Sequence, residues 1–227
     1  MITYHHEVAQ GSDEWLAVRC GILTASEMKL ILTPKQLKTA NNADSRTHVY
    51  ELLAQRITQY VEPHYISFDM LRGTNDEVEA KILYSANYEP VQDVGFVTND
   101  KFGFCIGYSP DGVIGEDGLI ECKSRRQKYQ IETISTGALP KEYLLQIQTG
   151  LLVTERKWCD FISYSGGLPM MTLRVFPDPQ VHDAIVAAAT AFETTINDKL
   201  QKYNDMLNSQ TLRFLPTERK IYEEITI

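Results

Sequence analysis

The chain has 227 residues, 43% apolar and 23% charged, which is material for one sizeable buried core and unlike the composition of disordered or fibrous sequence. A formal net charge of −8 argues against a protein that coats nucleic acid by bulk electrostatics, although it leaves room for a local basic channel. No run approaches the roughly 20 apolar residues of a membrane helix, and the first residues lack a basic, apolar leader. Cys20, Cys105, Cys122 and Cys159 have neither disulfide-framework nor zinc spacing. A soluble cytoplasmic protein with free thiols is expected, and, without repeats or linkers, a single domain over residues 1–227.

The first predicted helix is capped by Ser12 or Asp13 and stops at Cys20-Gly21. Thr24 to Glu27 has the form of a capping box ahead of Met28, Leu30, Ile31 and Leu32, and Pro34 ends that second helix. A longer helix is expected from Asp44 to Val61, with Val49, Leu52, Leu53 and Ile57 at core spacing. Another runs from about Phe68 or Thr74 to Asn87, with Val78, Ile82 and Leu83 as its core stripe. Then the period changes. Val91 to Thr98, Phe104 to Tyr108, Leu119 to Lys123, Trp158 to Tyr164 and Met170 to Phe176 read as strands, bounded by turn residues. A helix from about Glu142 to Val153 crosses between the third and fourth strands, and a long one from about Pro179 to Asn208 precedes a polar tail. This order implies an α/β or α+β fold, a mixed central sheet flanked by helices.

The segment that carries chemistry is Ser109-Pro110-Asp111-Gly112 followed by Glu121-Cys122-Lys123. Side chains alternate on a strand, so Glu121 and Lys123 share a face while Cys122 turns away and leaves its backbone carbonyl at the same edge. A hairpin centred on Glu116 would set Asp111 opposite Glu121, whereas a two-residue Glu116-Asp117 turn would put them on opposite faces. The odd-length loop, with a glycine bulge, is expected here. Two carboxylates about 5 Å apart across a strand pair repel and need a compensating cation, and oxygen ligands suit Mg²⁺. Such an ion would activate water beside a phosphodiester, with Lys123 as an adjacent positive charge. The same residues could instead be a turn and a solvated strand face.

At these residues the sequence resembles the PD-(D/E)xK nuclease superfamily, and in its phage lambda exonuclease family several further blocks are similar in order. Gly11 to Trp15 with Arg19 to Glu27 is similar to that family's N-terminal block, Gly73 to Glu77 to the helix supplying a metal-site glutamate, and Gln146-Ile147-Gln148 to its QxQ helix. The resemblance implies a restriction-endonuclease-like core and a Mg²⁺-dependent exonuclease, with two ions per site and Mn²⁺ able to substitute. It would degrade the 5′-ended strand of duplex DNA to mononucleotides and leave a 3′ overhang for a single-strand annealing protein in phage-type recombination.

The implied metal ligands are Asp111, Glu121, the Cys122 carbonyl and Glu77, with Lys123 catalytic and Gln148, more than Gln146, serving the nucleophile or the scissile strand. Arg19, Ser26 and Ser109 would grip a 5′ phosphate. Trp15 is a core residue of the first helix or helps wedge the duplex apart. A ring-shaped homotrimer in the host cytoplasm, encoded by phage or prophage, is implied too, with Lys29, Lys35, Lys38, Arg125, Arg126 and Lys128 as channel candidates. Glu77 also fits a capping box with Thr74. His5, His6, His48, His64 and His182 are scattered and suggest no site. An endonuclease of the same superfamily and a non-catalytic DNA-end binder are the competing readings.

Overall fold

A computed structural model describes residues 1–63 and 67–220; His64 and the last residues of the tail lie outside them. The N-terminal cap is as expected: the Ser12 hydroxyl accepts from the Trp15 N–H, and α1 (Asp13–Arg19) ends ahead of Gly21, whose φ is +70°. Glu27 reaches back to the N–H and hydroxyl of Thr24, closing a 3₁₀ turn (Ala25–Glu27) that leads into α2 (Met28–Ile31). α3 (Ala43–Thr58) stops short of Val61 because Gln59 adopts a left-handed conformation. α4 (Phe68–Asn87) is capped by Ser67 rather than begun at Thr74, so Glu77 lies inside the helix, beyond its first turn.

The strands form two four-stranded sheets instead of one. The first has the order β1 (Ile2–His5), β3 (Phe96–Asn99), β4 (Ile106–Tyr108), β2 (Leu23–Thr24), and the second runs β5 (Gly112–Ile114), β6 (Gly118–Ser124), β7 (Trp158–Tyr164), β8 (Met171–Val175). Pairing is parallel in β2–β4 and β6–β7 and antiparallel elsewhere. The mixed α+β class expected from the element order is thus present. Three short strands and one helix lie outside the elements the sequence names: β1, β2, β5, which only the hairpin about Glu116 implies, and α5 (Gln127–Thr136).

α6 (Lys141–Thr154) fills the centre between the sheets and α7 (Pro179–Leu207), and nine of its residues, from Leu145 to Thr154, are buried. Its Gly150 faces the Tyr108 ring, and a Cβ there would come within 2.7 Å of it. That close approach is what lets Tyr108 lie flat on the helix, fully buried, with its hydroxyl aimed at Glu121.

α4 buries a different face from the one its apolar residues suggest. Ala80 and Tyr84 pack against Ile120, Cys122 and Ile162, and the Tyr84 hydroxyl donates to Asp160, which Arg174 also holds by two bonds. Val78, Ile82 and Leu83 are exposed, at 53%, 57% and 41%. A small alanine and a hydroxyl with a buried partner fix the helix rotation, and the expected core stripe faces outward. Among the described residues no helix is long and apolar enough to cross a membrane.

Candidate active site

β5 and β6 pair Gly112 with Ile120, Val113 with Leu119 and Ile114 with Gly118, so the hairpin is centred on Glu116 and the next position outward sets Asp111 opposite Glu121. The loop is Gly115-Glu116-Asp117, with Gly115 at φ +47°. Pairing stays in step to the loop, so the expected bulge is absent and the odd loop length alone sets the register. Arg156 fastens the turn by donating to the carbonyls of Gly118 (2.8 Å), Gly115 (2.9 Å) and Ile114 (3.3 Å).

Asp111 Oδ2 accepts the Cys122 N–H at 2.6 Å. Because the N–H and C=O of one strand residue point the same way, the Cys122 carbonyl shares this edge, while its side chain is buried on the opposite face beneath α4. Glu121 is fully buried and held from three sides: Lys123 Nζ (2.6 Å) and Gln146 Nε2 (2.5 Å) on Oε1, and the Tyr108 hydroxyl (2.7 Å) on Oε2. Tyr108 escaped the sequence reading because a tyrosine at a strand end reads as core. Its place directly before Ser109-Pro110-Asp111 was the available signal.

The electrostatics are those of acids with too few cations. Burial, and then the Glu121 charge, push Asp111 well above the usual carboxylate range, against the pull of Lys123. Burial raises Glu77 as well, opposed by Lys81 and assisted by Glu121. Lys123 is raised further above its usual value: its burial is outweighed by the attraction of Glu121 and Asp111, so it stays protonated. Among the described residues no three His, Cys, Asp or Glu side chains form a ready-made metal cage. What fits a hard divalent ion is the pair Asp111 and Glu121 with the Cys122 carbonyl: oxygen donors on one edge, two of them mutually repelling carboxylates.

This imbalance gives a stability prediction. Folded Asp111 and Glu77 keep their protons to higher pH than in the unfolded chain, so the folded state binds more protons and stability falls as pH rises from the ordinary carboxylate range through the raised values. In EDTA the Tm should fall across that window. Mg²⁺ should raise it, most at the upper end; a Mg²⁺ effect that is nil or independent of pH would count against a carboxylate ion site.

A cleft of about 210 Å³ gathers Asp111, Glu121, Lys123 and Gln146 with Arg19, Ser26, Ser109 and Trp15. α1 contributes Trp15 and Arg19: the guanidinium lies 4.3 Å from the indole centroid, and the indole N–H donates to Ser109 Oγ at 2.9 Å. Trp15 is therefore a half-buried cleft wall, not a core residue. Arg19 Nη2 also reaches Thr24 Oγ1 and Glu27 Oε1, each at 3.5 Å. Thr24 and Gln10 line the cleft too, and Gln10 holds the Ser109 to Asp111 turn through the Pro110 carbonyl at 2.8 Å; in the sequence Gln10 carries no signal and Thr24 only that of a cap and of the similar N-terminal block.

Gln148 does not reach this cleft. Its amide donates to the Phe176 carbonyl and accepts the Asp178 N–H, tying α6 to the start of α7. Two residues along a helix is about 200° of rotation, so only one glutamine of the QxQ segment can face the acids, and it is Gln146. Gln146→Ala should lower turnover with little change in Tm, whereas Gln148→Ala should cost about 1–3 kcal/mol in urea unfolding by removing the two hydrogen bonds that tie α6 to α7. The reverse pattern would return Gln148 to the chemistry. Of the histidines, His48 is buried against Phe192 and bonded to Glu51, and none of those described enters the cleft.

The YqaJ-like viral recombinase domain matches residues 14–157 of this sequence, more than half of the chain. The chain belongs to that family. In structure it is similar to an alkaline exonuclease (LHK-Exo) from Laribacter hongkongensis, with a TM-score of 0.71 and 31% identity, over 86% of this chain and 100% of that one. LHK-Exo in complex with dAMP gives a TM-score of 0.72 at the same identity and coverage. A phage related exonuclease from Haemophilus somnus 129PT shares the fold at 13% identity and a TM-score of 0.55, over 79% of this chain and 96% of that one. No protein of curated function matches in sequence.

Proposed function

We propose that this chain is a Mg²⁺-dependent 5′-to-3′ exonuclease of double-stranded DNA, acting as one domain over residues 1–227. It releases 5′-mononucleotides from 5′-phosphorylated ends and leaves 3′ overhangs for a single-strand annealing protein. A deoxyribonuclease of the exonuclease kind is what family membership and the likeness to LHK-Exo support. The observation that carries the finer reading is the sharing of one small cleft by two sets of residues, the Asp111, Glu121 and Lys123 cluster and the Arg19, Ser26 and Ser109 cluster. A cleft of this size is far too small for a duplex and leaves room at most for the end of one strand.

Asp111, Glu121 and the Cys122 carbonyl would hold Mg²⁺, two ions per site, with Glu77, close enough to Glu121 to feel its charge, as a further ligand and Mn²⁺ able to substitute. When bound, the ion would lower the pKa of a water and offset charge on the scissile phosphate. Lys123, protonated and buried, sets a fixed positive charge beside that phosphate. Gln146, rather than Gln148, orients the attacking water or the strand from its place next to Glu121. Arg19, with the hydroxyls of Ser26 and Ser109, binds the terminal phosphate, and Trp15 aligns both Arg19 and Ser109. A homotrimer in the host cytoplasm is part of the same reading. The exposed Val78, Ile82 and Leu71 on α4 support it as apolar surface that assembly would cover.

A linear duplex labelled at either end, with and without 5′ phosphate, is the test, beside a covalently closed circle. Mg²⁺-dependent release of 5′-end mononucleotides that spares the circle is the expected result. Cleaved circles would replace it with an endonuclease, and an inert protein with a binding module.

A further inference from the structure

Next to the acidic cleft, beyond the Tyr143 ring, lies a concavity of about 780 Å³. Lys123 Nζ stands 5.6 Å from that ring's centroid on the catalytic side, and the Arg125 guanidinium 5.3 Å from it, with Nη1 bonded to the Tyr143 hydroxyl. Beyond Lys123 the chain supplies Ser124, Arg125 and Arg126 to the cavity wall, Arg72 and Lys141 add two more cations, and Glu132 and Glu142 are the acids among its lining residues. In a chain of net charge −8, four cations against two acids leave this wall net positive.

Three features indicate a ligand. Arg125 has a side chain only 7% exposed, and although Glu142 holds its Nη1 at 2.6 Å, its buried Nε has no partner among the described residues, which leaves one donor for a further acceptor. Arg72 and Arg126 converge on one carboxylate, Asp69, at 2.9 and 2.7 Å; it is half-exposed and sits where a phosphodiester bridging two guanidiniums would sit. In the same wall the Tyr129 ring, 42% exposed and flanked by Arg125 at 5.2 Å and Lys128 at 4.7 Å, offers a cation-backed face on which a base can stack.

We propose that this cavity is a binding site for single-stranded DNA, seating a phosphodiester on Arg72 and Arg126 in place of Asp69 and stacking a base on Tyr129. The proposal rests on the nuclease reading only in that an unpaired strand next to Lys123 would enter here.

Binding is read in EDTA, so that hydrolysis does not intervene, from the fluorescence anisotropy of a short labelled oligodeoxythymidylate. Arg126→Ala should weaken the Kd about tenfold and lower the log–log salt slope by about 0.7, and Tyr129→Ala should also weaken it by about tenfold. Asp69→Asn should tighten it by about threefold, since it frees two arginines; a gain of affinity cannot come from misfolding. An unchanged Kd in Arg126→Ala or Tyr129→Ala, or weaker binding in Asp69→Asn, overturns the site. Hydrolysis of linear duplex in Mg²⁺ is read alongside: inert protein with the expected anisotropy pattern removes the nuclease and keeps the site, while active protein with flat anisotropy does the reverse.

Discussion

Lys123→Ala should reduce Mg²⁺-dependent hydrolysis of linear duplex DNA by about a thousandfold, with Lys123→Arg recovering little of it. Lys123 is the cation held directly against Glu121, and its side chain alone carries positive charge from β6 into the cleft. Its loss removes the positive charge that the proposed mechanism sets beside the scissile phosphate and leaves Glu121 with neutral donors only, the Gln146 amide and the Tyr108 hydroxyl. Arginine keeps the charge but spreads it over a wider plane that cannot occupy the same point between Glu121 and Tyr143. Circular dichroism and retained binding of DNA in EDTA separate lost chemistry from lost fold. A folded Lys123→Ala protein that still released mononucleotides at more than a tenth of the normal rate would exclude the lysine from the reaction.

Arg19→Ala should abolish selectivity for phosphorylated ends, lowering kcat/KM by about tenfold to a hundredfold on 5′-phosphorylated duplex and scarcely at all on the 5′-hydroxyl form. The direction follows from position: Arg19 ends α1, stacks on Trp15 and opens into the cleft beside Ser26 and Ser109. A general packing role would slow both substrates alike. An equal loss on both would therefore move the phosphate grip elsewhere, and Trp15→Phe is a graded companion, since it keeps the ring under Arg19 and removes the N–H that holds Ser109.

The acidic part of the site was legible because it rests on short-range geometry. Strand alternation alone puts Glu121 and Lys123 on one face and Cys122 on the other, and the spacing of Asp111 from Glu121 admits a register in which they oppose. The remainder depended on contacts distant in sequence. Gln146 and Gln148 both lie on a nearly all-buried helix, and which one meets the acids is decided by Phe176 and Asp178, which take Gln148. α5 has no apolar stripe to announce it; it is anchored by Gln130, buried and bonded to the carbonyls of Ser163 and Pro169 and to the Ser163 hydroxyl.

By itself the sequence determined the helix starts at Ser12 and Thr24, the mixed α+β order and the common face of Glu121 and Lys123, because capping, turn length and side-chain alternation are properties of a few consecutive residues. Only the tertiary structure decided that the strands divide into two sheets, that α4 turns Ala80 and Tyr84 inward and leaves Val78 and Ile82 outside, and that Tyr108 reaches Glu121 over Gly150. Those outcomes depend on which surfaces meet, and a helix with apolar residues on two faces buries the one whose size and hydrogen bonds its neighbours can accept.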